Sequence, residues 1–304
     1  MSLFNRLVVQ GLPLVPRFIV GRVASRYVAG DSFKEASEVI RRLNGEGAMA
    51  TVDLLGEEVH DRERARQAID EYIGVLEQIA GLGLDCNVSV KPTQVGLKLD
   101  DSFCRENVER LLEVAQRTNN FVRLDMEDRT CTEPTLQLYR HLHQKFGGRH
   151  VGVVLQAYMR RTLGDIAGLP NEDANIRICK GIYIEPRAAA WKGYDTVRAN
   201  FLAALEKLLT QGVYVGIATH DEYLACQAAA MVDRLRIPRD RYEFQMLLGV
   251  ESALRRILIE GGHRLRVYVP YGREWYEYSV RRLRENPEVA GHVMKAMLRS
   301  KGSE

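Results

Sequence analysis

Toward the C-terminus, Tyr278, Arg281, Arg282 and Glu285 stand at i, i+3, i+4 and i+7 of a predicted helix, so all four project from one face. Two planar guanidinium forks suit a carboxylate or phosphate ligand, and Glu285 is placed to hold one of them. A solvated charged face is the ordinary reading of an Arg-Arg pair, and what lies upstream decides against it. Each predicted strand ends on or near a polar group: Asp53, Glu57, Lys91, Asp125, Gln156, Arg177, Lys180, His220, Asp221, Gln245, Tyr268 and Tyr271. One such residue is commonplace; gathered at one end of a sheet they make a site. Lys180-Gly181 adds a cation beside a residue whose backbone can approach a phosphate closely.

The elements that must carry these residues alternate regularly. Apolar strand candidates fall at 48–55, 84–90, 121–126, 151–157, 176–179, 213–218, 242–248 and 265–269, the last followed by a Pro-Gly turn. Helical patterns lie between them at 62–80, 101–116, 133–145, 188–209, 222–235 and 251–259. Strand then helix, repeated, implies parallel pairing with right-handed crossovers. Eight such units in about 250 residues fit a (β/α)8 barrel, an α/β fold whose chemistry gathers at the C-terminal ends of the strands. An open doubly wound sheet is the alternative, but no G-x-G-x-x-G follows the first strand. Residues 1–45 then form an N-terminal helical arm, its last helix opened by Asp31-Ser32. Residues 46–304 form the barrel, with the arginine-bearing helix over its mouth.

Composition narrows the class. A 304-residue chain with 46% hydrophobic residues can bury a full core, and a net charge of +3 without a basic block argues against nucleic acid. The five cysteines include no C-x-x-C pair, the pattern of a reducing compartment. No apolar run reaches the roughly 18 residues of a membrane span. The first thirty residues carry Arg6, Arg17, Arg22 and Arg26 and no acid, an amphipathic arm that suits packing on the body or contact with a membrane surface.

Seven stretches in order resemble the proline dehydrogenase family, the flavin enzymes of proline breakdown. They are Val88-Ser-Val-Lys-Pro-Thr-Gln94, Arg123-Leu-Asp-Met-Glu-Asp128, Val154-Leu-Gln-Ala-Tyr158, Arg177-Ile-Cys-Lys-Gly181, Ala218-Thr-His-Asp221, Glu243-Phe-Gln-Met-Leu-Leu-Gly249 and the Tyr-x-x-Arg-Arg-x-x-Glu of the last helix. The resemblance implies oxidation of L-proline to 1-pyrroline-5-carboxylate, with a hydride passing to N5 of FAD, or of FMN as the alternative flavin. Lys91, Arg281 and Arg282 would clamp the proline carboxylate, Tyr268 and Tyr278 would close over the ring, and Glu285 would steady the arginines. Asp125 and Arg177 match active-site positions beside the flavin. Gln156, Lys180, Gly181, Thr219 and His220 match flavin-binding positions, joined by Met126 and Ile182. The resemblance further implies a membrane quinone as electron acceptor and coupling to a pyrroline-5-carboxylate dehydrogenase. A cytoplasmic protein, peripheral at the inner face of the membrane, follows from that. Ile184 departs from the family, standing where some relatives have an aromatic residue near the adenine; Leu247 or Leu248 stands where relatives often have tyrosine.

Rival readings use the same residues differently. Lys91 or Lys180 could serve as a Schiff-base nucleophile, as in barrel aldolases. A metal-dependent hydrolase lacks ligand spacing: His141 and His143 face apart on a helix, His220-Asp221 has no partners, and His60 and His263 read as surface residues. A barrel that only binds a carboxylate would keep the arginine face without needing Lys180-Gly181 or the strand-end set.

Overall fold

The structure, a computed structural model, describes residues 26–56, 58–170, 173–276 and 278–279. Eight parallel strands close into a barrel in sequence order: β1 (Met49–Leu54), β2 (Cys86–Val90), β3 (Val122–Leu124), β4 (Val151–Gln156), β5 (Asn175–Cys179), β6 (Tyr214–Ala218), β7 (Tyr242–Leu247) and β8 (Leu265–Tyr271). Closure is made by β1 and β8, paired from Met49↔Arg266 to Leu54↔Tyr271. The strand–helix alternation therefore produces the ring expected of it, and the open sheet is excluded.

The helices are α1 (Phe33–Gly45), α2 (Arg62–Gly81), α3 (Asp101–Arg117), α4 (Arg129–Phe146), α5 (Thr162–Ala167), α6 (Tyr194–Thr210), α7 (Glu222–Arg234) and α8 (Ser252–Glu260). Short polar side chains start several of them by taking up orphan backbone N–H groups. Asp61 accepts from Arg64 N at 2.8 Å, Asp100 from Phe103 N at 2.9 Å and Asp128 from Thr130 N at 2.8 Å. Ser32, rather than Asp31, caps α1, in a reciprocal box with Glu35. The apolar face of α1, Phe33, Ala36, Ile40 and Leu43, is buried in the main core. Phe33 meets the Tyr271 ring edge-on at 6.0 Å. Thus α1 covers the seam between β1 and β8.

Three of the boundaries that differ from expectation have a visible cause. The strand β8 runs through Pro270 to Tyr271 instead of turning at 270; Pro270 O still accepts from Ala29 N at 2.8 Å, so the extra residues are tied to the segment before α1. The helix α4 begins four residues early, because Asp128 caps it and Pro134 sits inside it. The helix α6 begins at Tyr194, not near 188, because residues 189–191 bond back across the loop. Arg160 N donates to Ala189 O at 2.9 Å and Trp191 N to Tyr158 O at 2.8 Å.

Outward residues such as Val52, Val88, Val153 and Val267 bury against the helices, whereas the inward ones are largely polar. Thr51, Asp53, Ser89, Arg123, Arg177, Glu243 and Gln245 are all buried. Arg177 on β5 reaches Ser89 on β2 at 3.1 Å, a contact that only the lumen of a closed ring permits. Branched apolar side chains commonly fill such a lumen; here hydrogen bonds do.

Candidate active site

A cavity of about 720 Å³ opens at the C-terminal ends of the strands. Of the strand-end set, Asp53, Lys91, Asp125, Gln156, Arg177, Lys180, His220, Asp221, Gln245 and Tyr268 line it. Tyr271 does not: its side chain points outward, and its hydroxyl donates to Glu71 at 3.1 Å beside α1. The alternation of a strand separates it from Tyr268, an odd number of positions away. Glu57, Arg281, Arg282 and Glu285 lie outside the described residues. Tyr278, in a described helical stretch that begins at Trp275, is buried and lines the cavity.

At the centre of the floor, Asp125 accepts from Arg177 Nη1 and from the Tyr268 hydroxyl, both at 2.7 Å. Its two oxygens therefore lock a guanidinium from β5 and a phenol from β8. Burial first, and then the Asp125 charge, push the Tyr268 hydroxyl well above its usual range, so it stays protonated as a donor. Arg177 also donates through Nη2 to Ser89 Oγ at 3.1 Å and through Nε to Gln245 Oε1. Its guanidinium carbon lies 5.5 Å from the Tyr268 ring centre.

Lys91, on the residue after β2, is gripped by both oxygens of Asp53 at 2.7 Å. Asp53 is 1% exposed, and burial raises its pKa while Lys91 pulls it back down. On the far side of the mouth Lys180 Nζ meets Asp221 Oδ2 at 2.6 Å. Asp221 also takes both arms of Arg198, at 2.6 and 2.8 Å, and the Tyr194 hydroxyl at 2.9 Å. Burial favours its neutral form, but these donors win and hold its carboxyl well below the usual range. Each cation of the described floor is therefore matched by an aspartate: Lys91 by Asp53, Arg177 by Asp125, Lys180 by Asp221.

The remaining expected residues take places around this floor. Gln156 Nε2 donates to Glu127 O at 2.7 Å, and Met126 and Ile182 face the cavity, Ile182 half-exposed. Thr219 Oγ1 accepts from Asp221 N at 3.1 Å. His220 Nε2 accepts from Leu247 N at 2.7 Å, which places the ring proton on Nδ1. Gly181 has φ +101°, and a Cβ there would lie 2.2 Å from Tyr158 Cδ1, so no other residue fits without displacement.

Ile184 is fully exposed, and Leu247 lines the cavity. His263 sits half-buried at the surface, packed against Phe244 and bonded to the Tyr242 hydroxyl at 2.8 Å. Lys91 and Lys180 are both engaged by buried carboxylates, an unfavourable setting for a Schiff-base amine. Sequence reasoning missed the partnership of Asp53 with Lys91, the use of Ser89 and Gln245 under Arg177, and Glu127, which anchors Thr93 N at 2.9 Å and Thr93 Oγ1 at 2.6 Å. Only the polarity of alternate strand residues hinted at them. A second cavity, of about 700 Å³ beside α1 and lined by Arg42, Arg255 and Trp275, contains none of the strand-end groups.

Comparison with known proteins gives a consistent result. Residues 36–295 match the family model described as proline dehydrogenase. The chain is 37% identical over 280 residues to the proline dehydrogenase of Deinococcus radiodurans, covering 91% of this chain and 90% of that one. It is 35% identical over 276 residues to proline dehydrogenase 1 of Bacillus subtilis, covering 91% of each. Among solved structures, proline utilization A (PutA) from Bdellovibrio bacteriovorus inactivated by N-propargylglycine superposes with a TM-score of 0.81 at 24% identity. That match covers 87% of this chain and 33% of the longer one, and it speaks to the fold alone.

Proposed function

Because the chain belongs to the proline dehydrogenase family, we propose that it uses bound FAD to oxidise L-proline to 1-pyrroline-5-carboxylate and passes the electrons to a membrane quinone. The observation that carries this reading is the floor itself, where Asp125 joins Arg177 and Tyr268 with Lys91 also lining the same cavity. The volume, about 720 Å³, lies within the range of roughly 300–1,000 Å³ typical of small-molecule and cofactor sites.

The residues present suit a flavin. Gly181, in a left-handed conformation with no room for a Cβ, leaves its backbone open to a phosphate beside Lys180. Thr219, His220, Gln156, Met126 and Ile182 supply the surrounding wall, and Arg177 presents a cation from the floor. When bound, the flavin supplies a two-electron acceptor for the hydride that leaves the ring carbon beside the proline nitrogen. The chain's own work is to bind, orient and shield the substrate.

Lys91, Arg281 and Arg282 hold the proline carboxylate, Glu285 steadies the arginines, and Tyr268 and Tyr278 close on the ring. The charge balance of the floor supports this division. Lys91, Arg177 and Lys180 each face an aspartate, so the floor alone carries little net positive charge; Lys91 contributes a donor to the carboxylate, and Arg281 and Arg282 are the additional cations the sequence offers. Asp125 keeps Tyr268 and Arg177 in place, and the substrate nitrogen, which must be neutral for hydride loss, releases its ammonium proton to solvent before the hydride leaves.

The cyclic imine product calls for a pyrroline-5-carboxylate dehydrogenase as functional partner. The 24% identical relative from Klebsiella aerogenes is named a bifunctional protein, and this chain spans a quarter of it. No helix among the described residues is long and apolar enough to cross a membrane. A cytoplasmic protein meeting the inner membrane face through its basic arm would reach a quinone; flotation of the full and arm-truncated chains with anionic liposomes tests that contact.

The test of the reaction is to supply L-proline and an artificial electron acceptor, trap the cyclic imine, and identify the flavin released on denaturation. Imine formation with FAD release is expected. A colourless protein that neither takes up FAD nor forms the imine would overturn the reading.

A further inference from the structure

A hydrogen-bonded column rises through the barrel from its N-terminal end to the floor of the cavity. At its base Glu243, 1% exposed, accepts from Arg266 Nε at 2.7 Å and Nη2 at 3.1 Å, from the Tyr214 hydroxyl at 2.8 Å and from Gln245 Nε2 at 2.5 Å. An ionised carboxylate can only accept. Gln245 must therefore turn its amide nitrogen down toward Glu243 and its carbonyl oxygen up, where Arg177 Nε donates to it. A flipped amide would set N–H against N–H above and oxygen against oxygen below. The usual ambiguity of a glutamine amide is thus settled by the charges on its two sides.

The neighbouring strand makes room for this arrangement. A Cβ at Gly216 on β6 would lie 2.6 Å from Gln245 Nε2 and 3.0 Å from its Cδ, so the amide occupies space that only glycine leaves open. Arg177 is then held by Gln245 from beneath, by Asp125 and by Ser89, while still lining the cavity.

We propose that Gln245, oriented by Glu243, is a positioning residue that fixes the Arg177 guanidinium, and that this fixed cation sets the reduction potential of the flavin bound above it. The inference rests on the flavoenzyme reading given above. Reduction adds electron density to the cofactor, and a cation held in one place stabilises that form more than one free to swing away.

The experiment uses the full-length, FAD-loaded protein and two variants that disturb the relay from different strands, Gln245→Met and Gly216→Ala, with Tyr214→Phe as control. Tyr214 bonds Glu243 on Oε2, whereas Gln245 bonds Oε1. Potentials are read against an indicator dye, and kcat and KM for proline are measured separately. Loss of a hydrogen bond to a charged group is on the order of tenfold, so the relay variants are expected to weaken the reduced flavin about tenfold, or about 30 mV for a two-electron couple. The drop in kcat should be of similar size, with KM within about threefold of wild type. Tyr214→Phe should leave the potential unmoved. An unchanged potential in whichever relay variant binds FAD would overturn the proposal, as would an equal shift in Tyr214→Phe. Wild-type protein that takes up no flavin would overturn the functional reading instead, and the relay's role with it.

Discussion

Replacing Asp125 by asparagine keeps the size of the side chain and removes its charge at the point where two strands are tied. Asp125 is 14% exposed at its side chain and Arg177 8%, so water does little to replace what is lost. The amide oxygen can still accept from one of the two donors now served at 2.7 Å, Arg177 Nη1 or the Tyr268 hydroxyl. Because Arg177 can only donate, the oxygen turns to it and the NH2 group faces the Tyr268 hydroxyl, whose own proton then loses its acceptor. At least one charge-assisted bond disappears, worth about 1.5–3 kcal/mol, which corresponds to a ~10- to 150-fold loss of kcat/KM if the floor is engaged in the transition state. Tyr268→Phe removes one of the same bonds, so the double variant should lose clearly less than the product of the single losses. Steady-state oxidation of L-proline with an artificial acceptor measures the effect, with melting temperature and flavin content recorded to separate chemistry from folding. Asp125→Asn within about twofold of wild type, at unchanged flavin content, would refute the role given to the floor.

Three further outcomes are expected. Arg281→Ala or Arg282→Ala should lower catalytic efficiency on the order of tenfold or more, mostly through KM for proline; unchanged kinetics would remove them from the clamp. Gly181→Ala, forced to φ +101° and onto the Tyr158 ring, should destabilise the loop by about 1–3 kcal/mol and reduce the flavin retained after gel filtration; wild-type flavin content would show that the close approach is not needed. Glu243 is pulled to a pKa of about 2 from its ordinary 4.5: burial, the largest single influence, opposes its charge, but Arg266, Tyr214 and Gln245 together outweigh it. The stability this contributes, ~3 kcal/mol, is present above pH 4.5 and is lost as pH falls toward 2. Acid unfolding of Glu243→Gln should therefore slope less steeply over that range than wild type, and parallel curves would contradict the assignment.

The barrel was legible because its signals are local. Short apolar runs, the helical patterns between them, and strand ends such as Asp53, Lys91 and Asp125 repeat along the chain in the order the ring closes. The boundaries that shifted were decided by distant contacts: residues 189–191 are drawn out of helix by bonds to 158 and 160. Tyr271 had the right residue type and the wrong parity, which becomes visible only once β8 is known to run through Pro270. The pairings in the site were illegible for the same reason. Lys91 finds Asp53 across 38 positions, Arg177 finds Gln245 across 68, and Tyr268 finds Asp125 across 143. No spacing rule connects such residues; only closure of the ring brings them within a hydrogen bond of one another.

The most direct test is optical. The purified, FAD-loaded protein is placed under anaerobic conditions and titrated with L-proline while its visible spectrum is recorded. Bleaching of the flavin band by L-proline, and its return when a quinone is added, is the expected result. A band that L-proline leaves unchanged would contradict the claim that this floor delivers proline's hydride to a flavin.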